Sequence, residues 1–274
     1  MATVTAIKPD FFGLKGRLQQ TWMAGDYDHF SRYLEQEARV FYEQLDLPPG
    51  CEMLDVACGS GQLALWAARD GINVTGVDIA SNLIRRAQAR ARAEGLKARF
   101  VEGDAEALPF EDASFDVVSS LYGAMFAPRP DYVARELLRV CAPGGAIVMG
   151  NWTPSGFVGQ MFKTFARFIA PNGMPAPVLW GDKAVVRERL GPGASEIRMR
   201  FRTCTFSYPF PPAAVVEFFR KYYGPTNRAF ASLDESAAAE LRQALEDLWS
   251  SNNVGGEEIT VVPAEFLEVV AIRA

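Results

Sequence analysis

The sequence predicts an α/β fold built on a parallel sheet, and three observations support this. Short apolar runs alternate with helical patterns across residues 52–151. A glycine-rich corner ends the first run and opens the first of these helices. Aspartates lie at or just after the ends of three successive runs, namely Asp55, Asp78 and Asp104. Alternating strands and helices form parallel sheets with right-handed crossovers, and such sheets bind ligands at the carboxyl ends of their strands.

The other elements follow from periodicity and from breaker residues. Residues 11–45 carry a helical pattern that ends before the Pro48-Pro49-Gly50 break. After the sheet core we expect a long insertion, a β-like stretch at 196–206 and a closing strand at 265–272. Helices are expected at 61–70, 81–94, 131–140, 213–222 and 234–249, and a fifth strand at 146–151.

The glycine-rich corner after the first strand is suited to a ligand. Gly59 and Gly61 have no side chain to keep a ligand away from the backbone. The helix that follows offers free N–H groups and a partial positive charge to an anionic group. Asp55, four residues before Gly59, would repel a pyrophosphate but favours an ammonium group. S-adenosylmethionine carries a carboxylate, an amine and a sulfonium, so we predict it as the cofactor.

Two alternatives remain open at this point. The spacing Gly59-x-Gly61-x-x-Ala64 also fits the dinucleotide fingerprint, which would indicate an NAD(P)-dependent oxidoreductase. Against it, none of the eight tyrosines has a lysine four residues later, so the short-chain dehydrogenase pair is missing. The second alternative is a protein that binds S-adenosylmethionine without transferring its methyl group.

The second and third runs supply partners for an adenosine. Asp78 lies about 20 residues beyond the corner, where a carboxylate that accepts hydrogen bonds from ribose hydroxyls is expected. Ile79 follows it and could cover one face of the adenine. Asp104, after the third run, could accept from the adenine amino group, while the Ala105 amide donates to a ring nitrogen.

In their order, these motifs resemble the class I S-adenosylmethionine-dependent methyltransferases. The matching stretches are 54–61, 76–78, 103–105, 108–118 and 143–145. Their sequences are most similar to the type 11 branch, which includes ubiquinone and menaquinone biosynthesis enzymes. The resemblance implies a Rossmann-like sheet, mostly parallel with an antiparallel last strand, and helical insertions that cover the substrate. It also implies methyltransferase activity. The expected cofactor-binding residues are Asp55, Ala57, Gly59, Ser60, Gly61, Asp78, Ile79, Asp104, Ala105 and Leu121.

Composition suits one domain, 1–274, with N-terminal helices at 11–45, a cofactor-binding core at 51–151 and helical cap insertions at 152–194 and 209–256. The net charge of −5 argues against a nucleic-acid partner, and we interpret Arg85, Arg86, Arg90 and Arg92 as a solvated helix face. Four widely spaced cysteines indicate neither zinc nor disulfides. We expect a cytoplasmic protein without a membrane span, and the oligomeric state stays open.

The composition of the predicted cap insertions indicates which kind of molecule accepts the methyl group. Aromatic and methionine side chains are dense at 152–180 and 218–230, among them Trp180 and Tyr222. We expect them to form a roof over the strand ends, which favours a small, largely apolar or aromatic acceptor. His29 is the single histidine and therefore the only histidine that could act as a base. Tyr27 and Tyr122 are candidates for cofactor contacts, and no catalytic residue is assigned.

Overall fold

A computed structural model describes residues 11–170 and 173–274, and its centre is one seven-stranded sheet. The strand order is β3-β2-β1-β4-β5-β7-β6. The strands are β1 Glu52–Val56, β2 Asn73–Asp78, β3 Ala98–Glu102, β4 Phe115–Leu121, β5 Cys141–Trp152, β6 Ala194–Tyr208 and β7 Thr260–Arg273. Strands β1 to β5 pair in parallel, whereas β7 runs antiparallel to both β5 and β6. The predicted fold class, with its antiparallel last strand, is confirmed.

Eleven α-helices surround the sheet in the described part of the chain. They are α1 Phe11–Trp22, α2 Tyr27–Ser31, α3 Glu35–Glu43, α4 Gln62–Arg69, α5 Ser81–Ala93, α6 Pro130–Val140, α7 Phe157–Phe165, α8 Lys183–Leu190, α9 Pro212–Tyr222, α10 Gly224–Ala231 and α11 Glu235–Asn252. Short 3-10 helices lie at Arg32–Leu34, Ala124–Phe126, Pro177–Gly181 and Gly191–Gly193. Within the described ranges, none of the helices combines the length and apolarity needed to cross a membrane.

Helices α7, α8 and α10 lie within the predicted helical insertions but were not predicted as separate helices. Asp182 starts α8, because its carboxylate accepts hydrogen bonds from the amides of Ala184 and Val185 at 2.8 and 3.1 Å. Such capping satisfies free N–H groups at a helix start and allows a short helix to form without a strong apolar stripe. Helices α8 and α10 have eight residues each, about two turns, so a periodic pattern has little length in which to show.

The centre of the sheet is buried on both faces, as expected for parallel strands covered by helices. Leu54, Val118, Ile147 and Met149 are completely inaccessible to solvent. This rigid centre holds the carboxyl ends of β1 and β4 in fixed positions, and the cofactor residues follow directly from those ends.

A cluster of aromatic side chains, here called the aromatic cluster, joins the N-terminal helices to the C-terminal cap. Its members are Phe30, Tyr208, Phe218, Phe219, Tyr223 and Trp249. Ring centroids lie 4.7 Å apart for Phe30 and Tyr223, and 5.1 Å apart for Phe219 and Trp249. Because Phe30 belongs to α2 and Trp249 to α11, the cluster fixes the position of α2 over the sheet.

The basic stretch on α5 is only partly a solvated face. Arg85, Arg86 and Arg92 are exposed, as expected. Arg90 instead forms an ion pair with Glu35 of α3 and lies 3.9 Å from the Asp28 carboxylate of α2. It therefore anchors the N-terminal helices to the core.

Candidate functional site

A cavity lies at the carboxyl ends of β1, β2 and β4, between the sheet and helices α1 to α3. The sheet side contributes the glycine-rich corner together with the segments that follow β2, β3 and β4. The opposite side, here called the roof, consists of residues from α1, α2, α3 and the 3-10 helix Arg32–Leu34. Its lining residues are Lys15, Leu18, Trp22, Tyr27, Ser31, Leu34 and Ala38.

The glycine-rich corner has the left-handed backbone that its residues were expected to permit. The φ angles are 57° at Gly59 and 86° at Gly61. A Cβ at Gly59 would lie 3.2 Å from Cε1 of Tyr27 in the roof. A Cβ at Gly61 would lie 3.1 Å from the Phe100 ring on the sheet side. Gly59 thus faces the cavity, whereas Gly61 lets helix α4 pack closely on β3.

Ala57 also has a positive φ, 57°, which is strained for a residue with a Cβ. Tyr122, just beyond β4, has the same φ of 57°. Both residues line the cavity. A Cβ at Gly123 would lie only 2.6 Å from the Cβ of Ala57, so the two strand-end turns are in tight contact. Non-glycine residues held in this conformation cluster at binding sites, which supports this edge as the functional one.

Asp78 connects the corner to the end of β2. Its Oδ2 accepts from the Gly59 amide at 2.9 Å, and its Oδ1 accepts from the Ala80 amide at 2.8 Å. Burial raises the pKa of Asp78, and the amides of Ala80, Gly59 and Ile79 oppose that shift. Each carboxylate oxygen can accept more than one hydrogen bond. Asp78 can therefore hold the corner in place and still accept from two ligand hydroxyls.

Asp55 is a buried carboxyl with an unused acceptor. The side chain is 2% exposed, and Ser119 Oγ donates to its Oδ1 at 3.4 Å. Among the residues that the structure describes, none forms a hydrogen bond with its Oδ2. Burial raises the pKa of Asp55 to about 7, the Ala64 amide opposes this shift, and the negative charge of Asp78 adds to it. A cation brought beside Asp55 would stabilise its ionised form.

Asp104 lies at the third strand end, within an ionic network. Its Oδ1 accepts from the Glu106 amide at 2.9 Å, and its Oδ2 pairs with Lys15 of α1. Lys15 also lies 2.6 Å from the Glu106 carboxylate, which pairs with Arg129 at 2.7 Å. The Glu106 side chain is fully buried, so these two cations compensate a charge that would otherwise be costly to bury.

Apolar side chains form the second part of the cavity lining, here called the apolar half. Its walls come from Trp22, Leu34, Leu121 and Phe126, together with small residues near 124–128. The Trp22 and Phe126 rings meet edge to face with centroids 5.0 Å apart. Tyr122 stacks on Trp152 at 3.8 Å, and burial raises the pKa of the Tyr122 hydroxyl far above its ordinary value.

Eight of the ten predicted cofactor residues line this one cavity. They are Asp55, Ala57, Gly59, Asp78, Ile79, Asp104, Ala105 and Leu121. Ser60 and Gly61 do not line it: Ser60 is fully buried, and its Oγ accepts from Gln62 Nε2 at 2.7 Å. The structure thus brings the predicted residues together, while their contacts with a bound cofactor stay a prediction.

The prediction that the aromatic residues of 152–180 and 218–230 cover the strand ends was wrong. None of the described residues of 152–180 and 218–230 lines the cavity. Trp180 is 1% exposed, and Tyr222 lies against His29 at 4.5 Å between ring centroids. Helices α1 to α3 occupy the place above the strand ends, and the later aromatics pack into the core and into the aromatic cluster. The helical cap insertions therefore support the roof from behind.

Sequence reasoning missed most of the roof residues. The cavity-lining roof residues that were not predicted are Lys15, Leu18, Trp22, Ser31, Leu34 and Ala38. Tyr27 and Tyr122, which were candidates, do line the cavity. His29 does not, because its ring packs on Phe218 and Tyr222. The helical pattern of 11–45 was the only available signal, and it does not show which face meets a ligand.

The two halves of the cavity have complementary chemistry. Three carboxylates, the corner backbone at Gly59 and a half-buried Ile79 can hold a ligand with a cation, hydroxyls and an amino-substituted ring. The apolar side chains offer contact surface to an uncharged molecule. A site that combines both kinds of side chain suits group transfer between bound molecules, in which positioning supplies much of the rate enhancement.

Comparisons with known proteins agree with this geometry. Residues 54–149 match the model of a methyltransferase domain. A Mycobacterium tuberculosis protein without an assigned function is 37% identical over 232 residues, which cover 83% of this chain and 85% of the relative. The 2-methyl-6-phytyl-1,4-hydroquinone methyltransferase of Synechocystis is 43% identical over 107 residues, 39% of this chain and 33% of that protein.

Among solved structures, a putative methyltransferase from Bacillus halodurans has the same fold. Its TM-score is 0.60 at 19% identity, with 86% of this chain and 98% of that chain covered. The match to the methyltransferase domain and the methyltransferase relative identify S-adenosylmethionine, and not a nicotinamide, as the cofactor. The chain belongs to the class I S-adenosylmethionine-dependent methyltransferases, in their type 11 branch, and is an enzyme that uses S-adenosylmethionine.

Proposed function

We propose that this enzyme transfers the methyl group of S-adenosylmethionine to a small, largely apolar or aromatic molecule. The observation that carries the proposal is the set of apolar side chains in the cavity lining, among them Trp22, Leu34, Leu121 and Phe126. Burying apolar surface contributes roughly 25 cal/mol per Å², so such walls can bind an acceptor without an ionic anchor.

In this proposal the polar half holds the cofactor. Asp55 faces the amine, the Gly59 corner contacts the methionine part, Asp78 accepts from the ribose and Asp104 accepts from the adenine. The bound cofactor supplies an electrophilic methyl group on a positively charged sulfur. The chain's own residues orient the acceptor for in-line attack and exclude water, which favours a reaction in which that charge disappears.

Two further observations support an organic acceptor over a nucleic acid. Lys15, the lysine that lines the cavity, is already paired with Asp104 and Glu106, and the chain carries a net charge of −5. Phosphate backbones require unpaired cations. The name of the Synechocystis relative states a hydroquinone acceptor for that protein, which fits a chain with a similar cofactor core.

The division of the chain into regions and its location in the cell are also part of the proposal. We treat 1–274 as one domain, with the cofactor core at 51–151 and cap insertions at 152–194 and 209–256. All four cysteines are free and buried, which suits a reducing compartment, so a cytoplasmic location belongs to the proposal as well.

The acceptor class can be tested by methyl transfer. Purified protein is incubated with methyl-labelled S-adenosylmethionine and a fractionated small-molecule extract, and we expect label in an organic-soluble product. The variant Leu34→Asp places a carboxylate in the apolar wall, whereas Leu34→Met keeps the wall apolar. We expect the Asp variant to raise the acceptor KM by at least about tenfold, since a buried unpaired charge costs several kcal/mol, and cofactor affinity to stay unchanged.

Salt-sensitive labelling of RNA or DNA, with no small acceptor found, would contradict this proposal. So would an equal KM for both Leu34 variants. Binding of the cofactor without transfer to any fraction would instead favour the silent binding protein.

Cofactor binding should release a proton near neutral pH. Asp55 has its pKa raised from 3.8 to about 7, so the unliganded protein loses stability as the pH rises from about 4 to 7. A bound ammonium beside Asp55 lowers that pKa again. We therefore expect the affinity for S-adenosylhomocysteine to increase between about pH 5.5 and 7, with proton release detected by calorimetry in buffers of different ionisation enthalpy. Asp55→Asn should abolish the release, and an equal release from both proteins would show that another group titrates.

A further inference from the structure

Helix α1 contacts the cofactor half of the cavity through two polar side chains. Lys15 pairs with Asp104 and lies 2.6 Å from the Glu106 carboxylate. One turn later, Gln19 donates to the carbonyl oxygen of Ile79 at 2.8 Å and to Glu102 at 3.1 Å. These contacts join α1 to the segments after β2 and β3, which carry the predicted ribose and adenine residues.

The same helix also forms a wall of the apolar half. Leu18 and Trp22 line the cavity, and Trp22 packs edge to face on Tyr27 and Phe126 at 5.7 and 5.0 Å. Lys15 and Trp22 are seven residues apart, about 10 Å along a helix. One rigid element therefore spans the cavity from the adenine end to the acceptor end.

The Lys15 contacts are strong enough to matter energetically. The side chains of Lys15 and Asp104 are 21% and 28% exposed, and that of Glu106 is fully buried. Ion pairs removed from water to this degree are screened less than surface pairs. Breaking the contact would also leave Glu106 with Arg129 alone. A charge-assisted contact of this kind is worth more than an exposed salt bridge, which typically contributes little.

Resting on the proposed placement of the cofactor, we propose that Lys15 is a positioning residue that holds α1 closed over the adenine end and thereby slows cofactor release. A cofactor held by Asp78 and Asp104 would lie beneath the helix that contacts Ile79, Asp104 and Glu106. The cofactor leaves when α1 separates from these residues, and the same separation opens the apolar half at Trp22. Acceptor binding against Trp22 therefore favours retention of the cofactor.

The experiment measures the dissociation rate of S-adenosylhomocysteine by stopped-flow displacement. The variant Lys15→Met removes the charge and keeps an unbranched apolar side chain. Arg17→Met is the matched control, because Arg17 lies on the same helix and is exposed. We expect Lys15→Met to release the ligand roughly 10- to 100-fold faster, as for the loss of a charge-assisted contact. Arg17→Met should match wild type, and Lys15→Arg should restore slow release.

Equal rates for wild type and Lys15→Met, with both proteins binding the ligand, would overturn the role of Lys15 and leave the proposed function intact. Failure of wild type to bind S-adenosylhomocysteine would overturn both.

Discussion

Asp78→Ala is expected to weaken S-adenosylmethionine binding by about 10²–10⁴-fold. Two ribose hydrogen bonds to a carboxylate are each worth roughly 1.5–3 kcal/mol, and 1.4 kcal/mol corresponds to a factor of ten. The structure adds a second route to the loss, because Asp78 also accepts from the amides of Gly59 and Ala80. Calorimetric titration with S-adenosylmethionine and S-adenosylhomocysteine measures the effect, and thermal unfolding checks that the variant is folded.

Asp116→Ala is the matched control for this prediction. Asp116 accepts one backbone hydrogen bond, from Glu52 at 2.9 Å, and it lies at the start of β4 rather than at a carboxyl end. Its loss removes a similar backbone contact far from the cavity, so cofactor affinity should be unchanged. A folded Asp78→Ala variant that binds within about threefold of wild type, a change below roughly 0.7 kcal/mol, would remove Asp78 from the site.

Trp180→Ala is expected to destabilise the fold by about 3–5 kcal/mol, the usual cost of deleting a large buried aromatic side chain. Trp180 is 1% exposed, and the Arg189 guanidinium lies 4.6 Å from its ring centroid. The neighbouring Gly181 is packed so tightly on β5 that a Cβ would lie 2.2 Å from the Trp152 carbonyl oxygen. The side chain therefore fills a core between Pro177–Gly181 and the sheet, and its removal leaves a large void.

Urea denaturation measures this loss, and cofactor affinity of the folded fraction should be unchanged. Trp180→Phe retains most of the apolar volume and should cost much less. If Trp180→Ala kept its stability within about 0.5 kcal/mol, the range of ordinary surface changes, and raised the acceptor KM, the aromatic segment would form part of the acceptor pocket after all.

The cofactor half could be predicted because it depends on short stretches of chain. Asp55 and Gly59 belong to one strand–turn–helix unit, and Asp78 and Asp104 follow the next two strands. Parallel strands place their carboxyl ends at one edge of the sheet, so the chain order alone brings these residues together. The raised pKa of Asp55 could not be predicted, since it depends on the burial of that carboxyl by the surrounding fold.

By itself, the sequence determined the α/β fold, the cofactor and the strand-end acids, because periodicity and the glycine-rich corner are local properties. Only the tertiary structure decided what covers the site. An apolar helical face shows that a helix is buried, but the same pattern serves a core helix and a pocket wall. Trp180 therefore lies in the hydrophobic core and Trp22 lines the cavity, although both are aromatic residues in helical stretches. Lys15 meets Asp104 across 89 positions of the chain, a contact between distant segments that no local pattern encodes.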